Sequence, residues 1–267
     1  MADLRWRWLE SAAAPGAEQM AVDAGLLARA RETGEATVRI FAWTRPTLSF
    51  GRHETVRDRF SAEALEAHGV DAVRRPTGGR VLLHEGEVTY SVTAPAPDDE
   101  PIRVAFARVN GLLMDALARL GVPVAEAPRA RPLRPARLAC FAEPSAGELI
   151  VDGRKLVASA QVREGGALLQ HGSILLDDLQ SRIPTLADTS MEPPTPGATL
   201  RTALGRPVSR AEVRDAPRPA ASARTRPSTR SSTSRSRRPT GSSVRCGAAS
   251  CGRARRSSMT KQESASV

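Results

Sequence analysis

Residues 149–176, LIVDGRKLVASAQVREGGALLQHGSILL, contain the pattern that decides the fold. Apolar runs are separated by turn residues at Asp152-Gly153 and at Glu164-Gly165-Gly166. Asp-Gly and Gly-Gly pairs between apolar runs are typical of tight hairpins, because a type I′ turn needs positive φ at both central residues. The stretch therefore predicts consecutive antiparallel strands over Leu149–Val151, Leu156–Val162 and Ala167–Leu176.

Helices and further strands precede this run along the chain. A 3.6-residue apolar period predicts helices over residues 17–31 and 102–120. Ser61 as N-cap and Gly69 as stop signal predict a shorter helix. Strands joined by tight turns, with helices inserted, indicate an α+β fold with a mixed, largely antiparallel sheet flanked by helices. The other predicted strands cover residues 37–43, 47–51, 70–75, 81–84 and 88–93, the last two as a hairpin around Glu85-Gly86-Glu87.

The positive charge lies in the C-terminal part of the chain. The 267 residues include 39 Lys+Arg and 29 Asp+Glu, a formal net charge of +10. Residues 216–267 hold twelve of the bases and one acid, so residues 1–215 are nearly neutral. The same C-terminal stretch contains no Leu, Ile, Phe, Trp or Tyr. Because it cannot form a core, it is predicted to be disordered.

Two interpretations of the C-terminal stretch remain open. It is either a genuine basic arm for nucleic acid or an out-of-frame translation of GC-rich DNA. The Ser209–Glu212 capping pair predicts a helix that begins near Ala211, but no apolar face follows it. The Arg, Pro, Ser and Ala that come instead favour the out-of-frame translation. The predicted organisation is a folded domain over residues 1–210 and a low-complexity basic tail over 211–267. A nucleic-acid partner is not expected for the body, because aromatic residues make up only 3% of the chain.

Cysteine and hydropathy patterns exclude several classes of protein. Only Cys140 of the three cysteines lies in the body, so no internal disulfide is expected there and a reducing compartment fits. The sequence contains no run of 18 apolar residues, so no membrane span is predicted. The N-terminal MADLRWRWLE lacks the apolar core of a secretory signal, so a cytoplasmic location is expected. His53 and His84 have no cysteine or carboxylate at ligand spacing, so no metal site is expected.

Lysine is nearly absent from the body. Of the 39 basic residues only Lys155 and Lys261 are lysines. In a chain that otherwise uses arginine, Lys155 is a candidate for a role that an amine performs and a guanidinium does not. Cys140 is a second candidate, since a nearby ammonium would favour its reactive thiolate. The alternatives are a solvated surface lysine and a small buried hydrophobic cysteine.

The segment RRPTGGR, residues 74–80, lies between two predicted strands. Paired glycines allow the backbone to approach a ligand closely, and successive N–H groups can hold an anionic or carbonyl oxygen. By itself the segment is more typical of a Gly-Gly turn beside solvated arginines. His171, next to Gly172, fits either a ligand contact or a satisfied strand histidine.

Together these segments resemble the lipoate-protein ligase and octanoyltransferase family, which shares its fold with biotin-protein ligases. The resemblance covers residues 5–210 and follows MAVDAGLL, TLSFGRHE, RRPTGGRVLLHEGEVTYSV, ACFAEPSAGELIVDGRKLVASAQ and LLQHGSILLD, in family order. In the family, the R-R-x-[ST]-G-G loop and the G-R-K-x-x-G-S-A-Q strand line the acyl pocket. Ala158 departs from the glycine that is common there, and its methyl group would narrow the pocket or be absorbed by a backbone shift. The resemblance and the neighbouring motifs together place Arg74, Arg75, Thr77, Gly78, Gly79, His84, Ser159, Ala160, Gln161, His171 and Gly172 at the substrate.

The resemblance also implies a chemistry. The segment ACFAEPSAGEL looks like the cysteine-bearing loop of one transferase branch, with Cys140 fifteen residues before Lys155. This favours an acyltransferase that moves octanoyl from octanoyl-acyl carrier protein, through a Cys140 thioester assisted by Lys155, without a cofactor. The implied acceptors are lysines of lipoyl domains of 2-oxoacid dehydrogenases or of glycine-cleavage H protein. Two alternatives stay open: a ligase that needs ATP and Mg, and an amidotransferase between lipoyl-domain proteins.

Overall fold

Two β-sheets organise the part of the chain that the computed structural model describes, residues 4–56, 59–128 and 147–216. The strands in these segments are β1 Trp6–Glu10, β2 Ala36–Phe41, β3 Thr47–Phe50, β4 Asp71–Arg74, β5 Leu82–His84, β6 Glu87–Pro95, β7 Ala125–Glu126, β8 Leu149–Val151, β9 Arg154–Glu164 and β10 Ala167–Leu175. The helices are α1 Gly16–Thr33, α2 Ala62–Ala67, α3 Ile102–Arg119, α4 Leu200–Leu204 and α5 Arg210–Asp215, with a 3₁₀ helix over Gln180–Leu186.

The larger sheet has seven strands in the order β1-β2-β6-β10-β9-β8-β7. Only β1 and β2 are parallel; the other neighbours are antiparallel. The smaller sheet has the order β4-β3-β5, with β3 parallel to β4 and antiparallel to β5. The α+β prediction of a mixed, largely antiparallel sheet flanked by helices is confirmed.

The run β8-β9-β10 forms as predicted from its turns. Asp152 and Gly153 both have positive φ, 49° and 75°, and so do Gly165 and Gly166, 57° and 77°. Two successive positive φ values match the twist that a two-residue hairpin requires. The sequence therefore places β9 and β10, which carry most of the candidate site, side by side in the sheet.

The predicted hairpin of β5 and β6 is wrong. β5 pairs with β3 in the smaller sheet, whereas β6 pairs with β2 and β10 in the larger one. The connecting Gly86 instead accepts backbone hydrogen bonds from Leu176 and Asp177, at the end of β10. A turn signal shows that the chain bends, but not which strand becomes the partner. β6 is buried at every position from Glu87 to Ala94, so it needs a neighbour on each edge.

Helices α1 and α3 cover opposite faces of the larger sheet. Leu168 of β10 packs in the main core with Val109 of α3, while the next residue, Leu169, packs with Leu27 of α1. Successive residues of a strand point to opposite faces, so the two helices form outer layers around it. The predicted stripe of α3 is confirmed in its centre, although Ile102 at its first turn is 63% exposed.

Helix termini follow their capping residues. The Ser61 hydroxyl accepts from the Ala64 N–H, and the Ser209 hydroxyl accepts from the Glu212 N–H. The helix after Ser209 is short, but its Val213 is buried in the main core, so packing continues past the predicted boundary at residue 210. Residues 217–267, most of the predicted tail, lie outside the described residues. Within the described segments, no helix has both the length and the apolarity to cross a bilayer.

Candidate active site

A pocket of about 380 Å³, including its open mouth, is lined by strands of both sheets together with α1. Its apolar lining consists of Met20, Trp43, Leu82, Ala158, Ala160 and Gly172. Its polar lining consists of Ser49, Arg75, His84, Thr89, Ser159 and His171.

Arg75 builds the loop beside the pocket. Its buried guanidinium donates to the carbonyl of Gly78 at 3.0 Å and to that of Arg80 at 2.6 Å. Gly79 has a φ of +94°, and a Cβ there would lie 2.7 Å from Arg75 Nη2. A Cβ on Gly51 would lie 1.8 Å from the Gly79 carbonyl oxygen. The glycines therefore permit close backbone packing around one arginine.

Arg74 does not line the pocket. Its side chain is turned to the loop after β3, where it donates to the carbonyls of Gly51 at 2.6 Å and of Glu54 at 3.0 Å. The two adjacent arginines thus hold two different loops. Gly78 and Gly79 are exposed beside the pocket lining.

His171 belongs to a buried relay that reaches from the pocket to α1. Its Nδ1 lies 3.1 Å from Asp23 Oδ2, and its Nε2 lies 2.7 Å from Thr77 Oγ1. Burial lowers the pKa of His171, although Asp23 opposes this shift, so the ring is neutral at neutral pH. Nδ1–H then donates to Asp23, and Nε2 accepts from Thr77. His171 is therefore a satisfied strand histidine that also lines the pocket, and its contact with a ligand stays a prediction.

His84 belongs to a second relay of the same form. Its Nε2 lies 2.7 Å from Ser49 Oγ and its Nδ1 lies 2.6 Å from Glu87 Oε1. Burial alone would raise the pKa of the Glu87 carboxyl, but the interaction with His84 and the hydrogen bonds that Glu87 accepts hold this pKa below its usual value. Glu87 is therefore an ionised acceptor that orients the imidazole.

Lys155 is buried at the start of β9. Its Nζ lies 2.6 Å from Glu148 Oε2, and the side chains are only 2% and 7% exposed. Lys155 is three residues before Ala158 on the strand that lines the pocket, but it is not itself part of the lining. The predicted partner Cys140 lies outside the described residues.

The remaining predicted residues lie on the central strands. Ser159 Oγ is 2.7 Å from the hydroxyl of Tyr90, and the Gln161 amide donates to Gln170 at 2.9 Å. A Cβ on Gly172 would lie only 2.1 Å from the Ala158 carbonyl oxygen, so glycine is required there. The Ala158 methyl group packs with Leu82 and lines the pocket.

Residues 15–218 match the family model of the lipoyl protein ligase A/B catalytic domain. The chain belongs to this family. An octanoyltransferase of Symbiobacterium thermophilum is 38% identical over 237 residues, which are 80% of this chain and 84% of that protein. An octanoyltransferase of Geobacillus kaustophilus is 40% identical over 188 residues, 66% of this chain and 67% of that protein. This member of the family is accordingly an acyltransferase.

Solved structures of family members share the fold. A T. acidophilum protein with bound lipoic acid superposes with a TM-score of 0.65 at 19% identity, covering 80% of this chain and 83% of that one. A lipoate-protein ligase A bound with ATP superposes with a TM-score of 0.61 at 21% identity, covering 80% and 82%. At these identities the likeness shows the lipoyl ligase fold.

The sequence analysis missed four residues that pair with predicted site residues. They are Asp23, the partner of His171; Ser49 and Glu87, the partners of His84; and Glu148, the partner of Lys155. Of these four residues, only Glu87 stands close enough in sequence to its partner, three residues after His84, for spacing to have suggested the pair. In the described segments no cluster of three or more His, Cys, Asp or Glu side chains could hold a metal ion.

The single tyrosine of the chain allows a direct titration. Burial raises the pKa of Tyr90 to about 12, against an ordinary value of 10. Because the unfolded chain loses this proton first, stabilisation on the order of 2–3 kcal/mol is present below pH 10 and is lost as the pH rises towards 12. Ultraviolet difference absorbance of tyrosinate should show a midpoint near 12 in the folded protein and about two units lower in urea. Equal midpoints would contradict the burial of this hydroxyl.

Proposed function

We propose that this protein moves octanoyl from octanoyl-acyl carrier protein to a lysine of a lipoyl domain or of glycine-cleavage H protein, in lipoate biosynthesis. The proposal is carried by the identity of 38% to an octanoyltransferase over 80% of the chain. It is supported by a pocket whose apolar side chains suit an acyl chain. Because the donor is already a thioester, the reaction needs no ATP.

The proposed route passes through Cys140. The Cys140 thiolate attacks the donor carbonyl, the bond from carbon to the carrier sulfur breaks, and the carrier thiolate leaves. A neutral amine of the acceptor then attacks the acyl-Cys140 carbonyl, the bond from that carbon to the Cys140 sulfur breaks, and the proton that the nitrogen gives up passes to the departing sulfur. The first step exchanges one thioester for another, and the second forms an amide, so the sequence runs downhill.

Lys155 is proposed to stabilise the negative charge on the thiolate and on the carbonyl oxygen. Its side chain is only 2% exposed and its Nζ lies 2.6 Å from a Glu148 carboxylate oxygen, so it is held in place before substrate arrives. An ion held in a water-excluded site stabilises developing charge more strongly than a solvated one. Backbone N–H groups of the Thr77–Gly79 loop are further candidates to hold the oxyanion.

The test is adduct formation. The full chain is incubated with octanoyl-acyl carrier protein, without ATP or acceptor, and examined by mass spectrometry. We expect octanoyl on the Cys140-containing peptide of the wild-type protein after digestion, and none on the corresponding peptide of Cys140→Ala. A wild-type adduct that maps only to residues other than Cys140 would contradict the thioester route.

Two further arms separate the alternatives. Free octanoate or lipoate with ATP should give no product on a lipoyl domain; product there would indicate a ligase. An octanoylated lipoyl domain as donor should be used less readily than octanoyl-acyl carrier protein, and the reverse preference would indicate an amidotransferase. The cytoplasmic location stays a prediction.

A further inference from the structure

We propose that Ser49, His84 and Glu87 form a second nucleophilic centre that accepts acyl groups from esters and thioesters in the pocket and hydrolyses them. This activity is independent of Cys140. It is carried by the geometry of the three side chains, by a cation beside the serine and by the position of Ser49 and His84 in the pocket wall.

The geometry is that of a nucleophile, a base and an orienting carboxylate. Ser49 Oγ lies 2.7 Å from His84 Nε2, and His84 Nδ1 lies 2.6 Å from Glu87 Oε1. The ionised Glu87 only accepts, so Nδ1 carries a proton. In the neutral ring that the proposal requires, Nε2 is the acceptor and the Ser49 hydroxyl donates to it, which is the arrangement in which a histidine removes a serine proton.

The base is held rigidly. The His84 ring stacks on Trp43 with centroids 4.1 Å apart and planes 25° apart. The Trp43 indole N–H donates to Thr89 Oγ1 at 2.7 Å, and the Thr89 hydroxyl donates to Glu87 Oε1 at 2.6 Å. Neither the ring nor its carboxylate can turn without breaking one of these contacts, so the pair is organised before a substrate binds.

A cation lies against the serine oxygen. Arg75 Nη1 donates to Ser49 Oγ at 3.0 Å and to the Ser49 carbonyl at 2.9 Å. As the hydroxyl proton moves to His84, negative charge develops on Oγ, and the guanidinium stabilises it. The hydroxyl oxygen uses one lone pair for Arg75 and retains the other for attack.

The site borders the pocket. Ser49 and His84 both contribute to its lining, next to Met20, Trp43 and Leu82, which suit an aliphatic acyl chain. The relay of His171 differs at this point, because its hydroxyl residue, Thr77, is not part of the lining. Of the two relays, only the one at His84 therefore presents its hydroxyl residue to a bound acyl group.

The reaction has two balanced steps. Ser49 Oγ forms a bond to the acyl carbon, the bond from that carbon to the leaving sulfur or oxygen breaks, and the serine proton passes through His84 Nε2 to the leaving group. Water then bonds to the acyl carbon and the bond to Oγ breaks. One water proton returns through His84 to Ser49, and the free acid leaves.

The test uses the full chain carrying Cys140→Ala, so that the cysteine route cannot contribute. We expect this protein to hydrolyse p-nitrophenyl octanoate, and a further Ser49→Ala change to lower the rate at least about 100-fold. Ser11→Ala is the matched control, because Ser11 also accepts from an arginine, Arg39 at 2.8 Å, and it is not part of the pocket lining. An equal rate with and without Ser49 would overturn the proposal.

A second measurement tests the proposal without requiring the Ser49→Ala variant to fold. The Cys140→Ala protein is treated with an alkyl fluorophosphonate, digested and analysed by mass spectrometry. We expect phosphonylation of the peptide containing Ser49, with loss of fluoride, and no label after His84→Gln. Labelling of other serines alone would refute the centre, whereas the adduct on Cys140 tests the transferase separately.

Discussion

Octanoyl transfer by Lys155→Arg is expected to be slower than transfer by the wild-type protein by at least about 100-fold, the usual effect of removing one charge-stabilising donor from an active site. Arginine keeps the charge, but its planar fork is larger than an ammonium. The position is 3% exposed, and the wild-type Nζ already lies 2.6 Å from Glu148. Extra volume at a buried site displaces the neighbours that position the group. Arginine also does not exchange a proton at neutral pH.

The rate is measured as a single turnover from octanoyl-acyl carrier protein to a lipoyl domain. Arg154→Lys is the matched control, because Arg154 is the preceding residue of β9 and is exposed. It should transfer at the wild-type rate. A normal thermal transition for Lys155→Arg would show that the defect is chemical, and full activity would remove Lys155 from the mechanism.

Asp23→Ala is expected to lower the free energy of unfolding by about 3–5 kcal/mol, a large part of the total stability of a domain. The side chains of Asp23 and Arg39 are 0% and 1% exposed, and Asp23 Oδ1 lies 2.7 Å from Arg39 Nη1. Asp23 Oδ1 also accepts from Ser91 at 2.7 Å. Burial lowers the pKa of Arg39 although Asp23 opposes the shift, so the guanidinium without its partner is a desolvated, uncompensated charge.

Urea unfolding followed by circular dichroism measures this effect. The control is the double change Asp23→Ala with Arg39→Met, which removes both charges and should recover much of the loss, because apolar replacements of a buried pair are often neutral. A cost below about 1 kcal/mol for Asp23→Ala alone, typical of surface pairs, would be inconsistent with the buried relay.

Local patterns were sufficient for most of the elements and for the fold class. The apolar period of α3, the N-cap at Ser61 and the turns at Asp152-Gly153 and Gly165-Gly166 each act within a few residues of chain. Such patterns are sufficient because residues a few positions apart determine both the local backbone conformation and which face of a helix or strand is apolar. They failed at Glu85-Gly86-Glu87, where the bend is local but the partners of β5 and β6 are distant strands.

The sequence predicted which motifs carry the candidate site, but not the hydrogen-bond partners of their side chains. The sequence singled out Lys155, His84, His171 and the loop at residues 74–80. It contained no sign that His171 meets a carboxylate 148 residues away, or that the hydroxyl partner of His84 lies 35 residues before it. The motif predicted Arg75 at the substrate, and Arg75 does line the pocket, but the sequence did not show that its guanidinium also binds the carbonyls of its own loop and Ser49.

By itself, the sequence determined the class of fold, the central strands and the family motifs, because turn geometry, apolar period and motif spacing are properties of short stretches of chain. Only the tertiary structure decided which polar groups are paired. Burial makes an unpaired charge or imidazole costly, so each buried group must find a partner, and the partner is whatever the packing of two sheets and a helix brings within 3 Å. Ser49, Asp23 and Glu148 acquire their roles in this way.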